Sequence, residues 1–218
     1  MKNRPHLIVG GGGHAAALAE ILIKQGTHIV GVVSPQITAG DVIFENIPHY
    51  LNDDDILNFS PENTLLVNGI GSMPYQSLRE NIYNRFKSIG YEFATVISDS
   101  AIVSDYSILH SGVQVMNNCV INIGCKIGEN TIINTSSSID HDCTIGAHCH
   151  VAPGSVLSGQ VVISDNVHIS TGVRIINNIT IGESSIVSVG ANVTTSVPAQ
   201  SIVYGSRALV KGLDRDDN

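Results

Sequence analysis

The chain has 218 residues, enough for one large domain or two small ones, and is 43% hydrophobic with only 14% charged residues. A net charge of −8 with 11 Lys+Arg argues against a general nucleic-acid binder. No apolar run reaches the ~18–20 residues of a membrane helix, and so apolar a chain often hides surface in an oligomer.

The opening MKNRPHLIVGGGGHAAALAE has the charge and apolar stretch of a signal peptide, but its glycines interrupt that stretch. A strand–turn–helix reading fits better, and the protein is expected to be cytoplasmic. His6 to Val9 reads as a buried strand and Ala15 to Lys24 as a helix. Ile29 to Val33 and Leu65 to Asn68 read as further strands, and Tyr75 to Ile89 as a helix with an apolar face. Strands alternating with helices predict a small parallel α/β domain over residues 1–95.

After Tyr91 the pattern changes. Every sixth position from Ile97 to Val193, seventeen in all, is Ile, Val or Leu. Neither helix nor simple strand demands that period, which marks a hexapeptide β-solenoid. Three sides make an 18-residue coil, with coils about 4.8 Å apart as in any sheet. The solenoid is expected over residues 96–197, its first coil covered by the α/β domain. Pro198 breaks the repeat and opens a tail over 198–218, which leaves or covers the far end. Cys119, Cys125, Cys143 and Cys149 each fall four residues after a repeat position, alongside Ser, Thr, Ala and Val. They are expected to be structural thiols of the core, not zinc ligands, and suit a reducing compartment.

The loop VGGGGHA follows a strand and opens a helix, so that Gly10, Gly12 and Ala15 satisfy GxGxx(G/A), whose amides can cradle phosphates. A dinucleotide enzyme would carry an acidic residue at the end of the second strand. This chain has Ser34-Pro35 there.

The stretch IDHDCTIGAHCHVAPGS (139–155) is the most specific in the chain. Together with GGGGHA (10–15), NGIGS (68–72) and the hexapeptide array, it resembles the PglD/NeuD/PerB-type sugar N-acetyltransferases, which acetylate nucleotide-linked amino sugars with acetyl-CoA. That resemblance implies a Rossmann-like head joined to a left-handed parallel β-helix, a homotrimer, and active sites between subunits. It implies His141 as general base with Asp142 as its partner, Asp140 being the competing one. An imidazole with a pKa near 6.5 and a carboxylate beside it suit removal of an amine proton. It also implies nucleotide-sugar contacts at Gly12, Gly13 and His14; Gly69, Gly71 and Ser72 are expected to line the same pocket, with Asn134 as a sugar contact and Ser34 at a substrate-binding position where many members carry an acidic residue. Acetyl-CoA is expected at His150, Thr171, Val189 and Gly190. His150 lies half a coil from His141, so the two can meet only across subunits. His168 should stack over His150, and His148 is expected at the surface. Arg79 reads either as a phosphate ligand or as a solvated helix residue, and Arg207 and Lys211 are open candidates for the CoA phosphates. No metal is expected: the spacing of gamma-class carbonic anhydrase zinc sites is matched by no pair among His110, His141, His148 and His150. The leading reading is acetylation of the 4-amino group of a UDP-linked 4-amino-4,6-dideoxysugar. The nucleotide is left open between UDP, dTDP and GDP. The alternatives are an O-acetyltransferase of the wider superfamily and a non-catalytic nucleotide-sugar-binding scaffold.

Overall fold

The computed structural model describes residues 4–206 and 208. The head is a five-stranded, all-parallel sheet in the order β3-β2-β1-β4-β5, built from β1 (His6–Val9), β2 (Ile29–Val33), β3 (His49–Tyr50), β4 (Leu65–Asn68) and β5 (Glu92–Phe93). Helix α1 spans Gly13–Lys24, α2 is the short Asp41–Phe44, and α3 spans Leu78–Ser88, starting three residues later than the sequence suggests. Tyr75 has left-handed backbone, φ 64°, in a turn closed by the Gln76 amide donating to the Met73 carbonyl at 3.3 Å, so the helix begins only after it. Alternate residues of β1 point to opposite faces. Leu7 and Val9 pack with Ile82, Tyr83 and Phe86 of α3, while Ile8 packs with Ala15, Leu18 and Leu22 of α1 in a core that continues into the solenoid.

From Val96 the chain winds into three parallel sheets of two-residue strands, with six, five and seven strands. Each strand pairs with the one eighteen residues away, as in Ile121↔Ile139 and Ile139↔Leu157. From Val115 to Val193 every repeat-position side chain is at most 4% exposed. Ile97, Val103 and Leu109 are only partly buried, because they line the end of the stack next to the head. The far end runs past Val193: Val197 bridges Ile181, and Ile202–Val203 pairs with Ile186–Val187 at a spacing of sixteen. The two-residue shortening falls between Val193 and Val197, ahead of Pro198, and the coil continues past the proline. Arg207 and Lys211, the open candidates for the CoA phosphates, lie outside the described residues.

Two further columns explain why the coil closes. Cys119, Cys125, Cys143 and Cys149 are free and buried, and their thiols donate to the carbonyls of Asn134, Asp140, Ser158 and Ser164 at 3.0–3.2 Å. Thr131, Ser137 and Ser155 do the same with hydroxyls, to Gly146, Ala152 and Ser170. A small side chain with one hydrogen to give thus satisfies a corner carbonyl that the core would otherwise orphan. The second column has left-handed backbone: every sixth residue from Gly112 to Gly190 has φ between 56° and 77°. Gly, Asn, Asp and His are the residues that best tolerate it. Gly124, Asn130, Asp142 and His148 belong to that column.

Candidate active site

The corner between the strands Ser138–Ile139 and Thr144–Ile145 carries Asp140, His141 and Asp142. Asp142 sits in the left-handed turn position, φ 60°. Its Oδ2 accepts from His141 Nδ1 at 2.9 Å, while both side chains remain more than half exposed. The competing Asp140 turns elsewhere: its Oδ1 accepts from the His141 backbone amide at 2.8 Å and from Asn122 Nδ2 at 3.0 Å. Asp140 therefore shapes the turn, and Asp142 holds the ring. That hydrogen bond to Asp142 is the main cause lifting the His141 pKa above its ordinary value. With Nδ1 engaged, Nε2 is the nitrogen left for chemistry.

Two glycines one coil away on either side make room for the pair, and the sequence reading missed both. A Cβ on Gly159 would stand 2.6 Å from His141 Nε2, and one on Gly124 would stand 2.3 Å from Asp142 Oδ1. Their signal was present as an eighteen-residue offset: 141 + 18 gives 159, and 142 − 18 gives 124.

Because Asp142 raises the His141 pKa, any reaction step that needs the neutral imidazole should fade as pH falls through that raised value. In Asp142→Asn the raising contact is weakened, so the acid limb of the pH–rate profile should move to lower pH while the plateau rate falls. A pH–rate profile of both proteins checks this; an unmoved limb would assign the titration to another group.

In the head, Gly12, Gly13, His14, Ser34 and Gly71 line a cleft of about 440 Å³ at the carboxyl ends of β1, β2 and β4. This is where the strand order reverses, the usual ligand crevice of an open α/β sheet. Gly10 (φ 115°) brings the loop so close to Gly69 that a Cβ would lie 2.9 Å from its carbonyl carbon. Ser34 is buried, and its hydroxyl donates to the Gln36 carbonyl at 2.8 Å. Ser72 belongs instead to a second cavity, about 330 Å³, between the segment following β4 and His148, Asn166 and His168.

Arg79 follows neither reading of the sequence. It is 6% exposed, and its guanidinium donates to the carbonyls of Asn68, Ile70 and Asn130 and to Gln114 Oε1. Burial pushes it down to about 9, which leaves it cationic at neutral pH. It ties head to solenoid and has no hydrogen-bonding capacity to spare for a phosphate. His148 also departs from expectation: it is half-buried, bonded through Nδ1 to Asn130 at 2.9 Å, with its ring edge-on to Tyr83.

His150 is buried, and its Nε2 accepts from Asn134 Nδ2 at 3.0 Å. His168 pairs with it in register, their rings 4.9 Å apart. Burial, reinforced by His168, pushes the His150 pKa down to about 3, so its ring is neutral at working pH. Thr171, Val189 and Gly190 meet at another corner, where the Gly190 amide donates to the Thr171 carbonyl at 3.0 Å. Among the described residues, no group of three or more His, Cys, Asp or Glu side chains is placed to hold a metal ion. No described helix is long and apolar enough to cross a membrane.

An imidazole–carboxylate pair on a corner of a hexapeptide solenoid, joined to a nucleotide-type cleft, defines an acyltransferase of the hexapeptide-repeat class. Residues 7–86 match the PglD N-terminal domain, and residues 124–159 match the bacterial transferase hexapeptide (six repeats). PerB from Caulobacter crescentus, solved with CoA and GDP-perosamine, is 31% identical over 95% of this chain and 97% of its own, with a TM-score of 0.80. The acetyltransferase domain of PglB from Neisseria gonorrhoeae FA1090, solved with acetyl coenzyme A, is 25% identical over 95% of this chain and 100% of its own, with a TM-score of 0.83. The chain belongs to the PglD/PerB-type sugar N-acetyltransferases, acetyl-CoA-dependent enzymes with a Rossmann-like head and a left-handed β-helix.

Proposed function

We propose that the enzyme acetylates the 4-amino group of a nucleotide-linked 4-amino-4,6-dideoxysugar, a bacillosamine-like precursor for bacterial glycan assembly. The observation that carries this is the His141 ring, pinned through Nδ1 to Asp142 with its Nε2 turned to the open corner beside Gly159. The amine nitrogen attacks the thioester carbonyl of acetyl-CoA, and a C–N bond forms as Nε2 takes the amine proton. The C–S bond then breaks, and the proton passes from the imidazolium to the departing CoA sulfur. Asp142 stabilises the imidazolium in between. No acyl-enzyme forms.

The nucleotide occupies the head cleft against Gly12, Gly13, His14, Ser34 and Gly71, with Ser72 and Asn134 toward the sugar. Acetyl-CoA runs along His150, Thr171, Val189 and Gly190. Within one chain the His141 corner is separated by the strand Thr144–Ile145 from the next corner, which is the one that meets the head through His148 against Tyr83. That separation supports a homotrimer in which a neighbouring copy brings His141 to the cleft. The working division is a head over 1–95, a catalytic helix over 96–197 and a tail over 198–218, in a cytoplasmic enzyme.

UDP is the leading nucleotide on sequence resemblance. GDP is the second reading, favoured because PerB, at 31% identity, was solved with GDP-perosamine. Thiol release from acetyl-CoA with UDP-, dTDP- and GDP-linked 4-amino sugars decides between them. Release with one nucleotide is expected; release with none would end the N-acetyltransferase reading of this site.

A further inference from the structure

Head and solenoid are joined by a hydrogen bond between residues one hundred apart in the chain, His14 Nε2 to Gln114 Oε1 at 2.7 Å. Gln114 is fully buried, and two other partners fix which way its amide faces. Its Nε2 donates to the Asn68 carbonyl at 2.8 Å, and its Oε1 accepts from Arg79 at 3.1 Å. Turning the amide over would set an NH₂ against the Arg79 guanidinium and a carbonyl oxygen against the Asn68 carbonyl. The atom facing His14 is therefore an oxygen, which can only accept. It follows that His14 Nε2 carries the hydrogen. Burial, with the Arg79 cation adding to it, pushes the His14 pKa down to about 4, so the ring takes no second proton at working pH. The remaining nitrogen, Nδ1, keeps its lone pair and has no hydrogen-bond partner among the described residues, while His14 lines the head cleft.

We infer that Gln114 holds His14 as a fixed hydrogen-bond acceptor, so that the ligand group seated against His14 is an O–H or N–H donor and not a phosphate oxygen. This rests on the reading above, in which the head cleft takes the nucleotide-sugar. It makes Gln114 a positioning residue and His14 a specificity determinant. Phosphate oxygens must then find their donors elsewhere, such as the amides of the glycine loop.

The test is long-range ¹H–¹⁵N correlation NMR on histidine-labelled enzyme, with His14 assigned by its loss in His14→Gln. Between pH 6 and 8 its signals should show Nε2 protonated and Nδ1 bare, without titrating. The Nδ1 signal should move on binding. Movement with UDP or GDP alone places the donor on the nucleoside, a ribose hydroxyl or a base N–H, and movement only with the nucleotide-linked amino sugar places it on the glycosyl group. A protonated Nδ1 in the free enzyme, or no movement with any ligand that saturates the cleft, would overturn the inference. Gln114→Leu should release the second tautomer and raise KM for the nucleotide-sugar roughly tenfold with kcat nearly unchanged, the scale of one lost hydrogen bond. A Gln114→Leu spectrum like wild type would remove Gln114 from the argument. If the leucine protein does not fold, Gln114→Glu keeps the oxygen, so it should keep the tautomer but make His14 titrate at higher pH; a non-titrating His14 there would count equally against it. The spectra need no turnover. An enzyme that binds without acetylating would leave this inference standing while ending the functional reading.

Discussion

His141→Ala is expected to lower acetyl transfer by roughly 10²–10⁴-fold, the usual range for a positioned general base. Nucleotide-sugar affinity should stay within a few-fold, because the head cleft is built by other residues. Folding should also be little changed: the imidazole is more than half exposed, and among the described residues its only side-chain partner is Asp142. Surface substitutions of that kind generally move stability by about 0.5 kcal/mol or less. Steady-state rates, a binding titration and a melting curve on one preparation check all three. Near-normal turnover would remove His141 from the role of base, whereas loss of nucleotide binding would show that the substitution disturbed more than the corner.

The architecture was legible in the sequence because a solenoid writes its geometry directly into spacing. A six-residue period of Ile, Val and Leu leaves one arrangement that buries them all, and the eighteen-residue registers follow from it. The buried cysteines were readable for the same reason, since they share a column with Ser and Thr. The left-handed column was equally periodic, yet no single residue type marks it: Gly, Asn, Ser, Asp, His and Gln all occupy it. Its chemistry becomes visible only once backbone angles are known. In the head, the glycine loop, α1 and the three long strands were readable. The short β3 and β5, with two residues each, carry too little pattern to announce themselves.

Arg79 and His148 were misread because their surroundings come from the other domain. Nothing near Arg79 in the sequence foretells that Gln114 and Asn130 will close over it. An arginine on an exposed helix and one buried between domains look alike until the domains are docked. The same holds for His14, whose role was expected but whose hydrogen-bond polarity is set by a solenoid residue one hundred positions away. Chemistry inside one repeat was legible, and chemistry across the domain junction was not.

Gly159→Ala should abolish most activity while leaving the fold intact, which sets it apart from other glycine substitutions in the solenoid. At Gly128 and Gly146 an added Cβ would strike backbone of the next coil, at 2.4 Å from the Gly146 carbonyl carbon and 2.7 Å from the Asp165 amide nitrogen. Those changes cost stability, because backbone in a stacked sheet cannot give way. At Gly159 the three nearest atoms all belong to the His141 ring, with Nε2 at 2.6 Å and Cε1 at 2.7 Å, and its φ lies outside the left-handed range. The imidazole is the far end of an exposed side chain and can swing aside, so the melting temperature should hardly change. The displaced ring, however, loses its aim at the amine, and a misplacement of about 1 Å can cost on the order of 10²-fold. If the loss acts through His141, it should vanish in a His141→Ala background, where the alanine at 159 has no ring to displace. An equal fall in both backgrounds would mean that Gly159 serves the reaction by another route, and a cooperative loss of folding would mean that the corner is more rigid than its exposure implies.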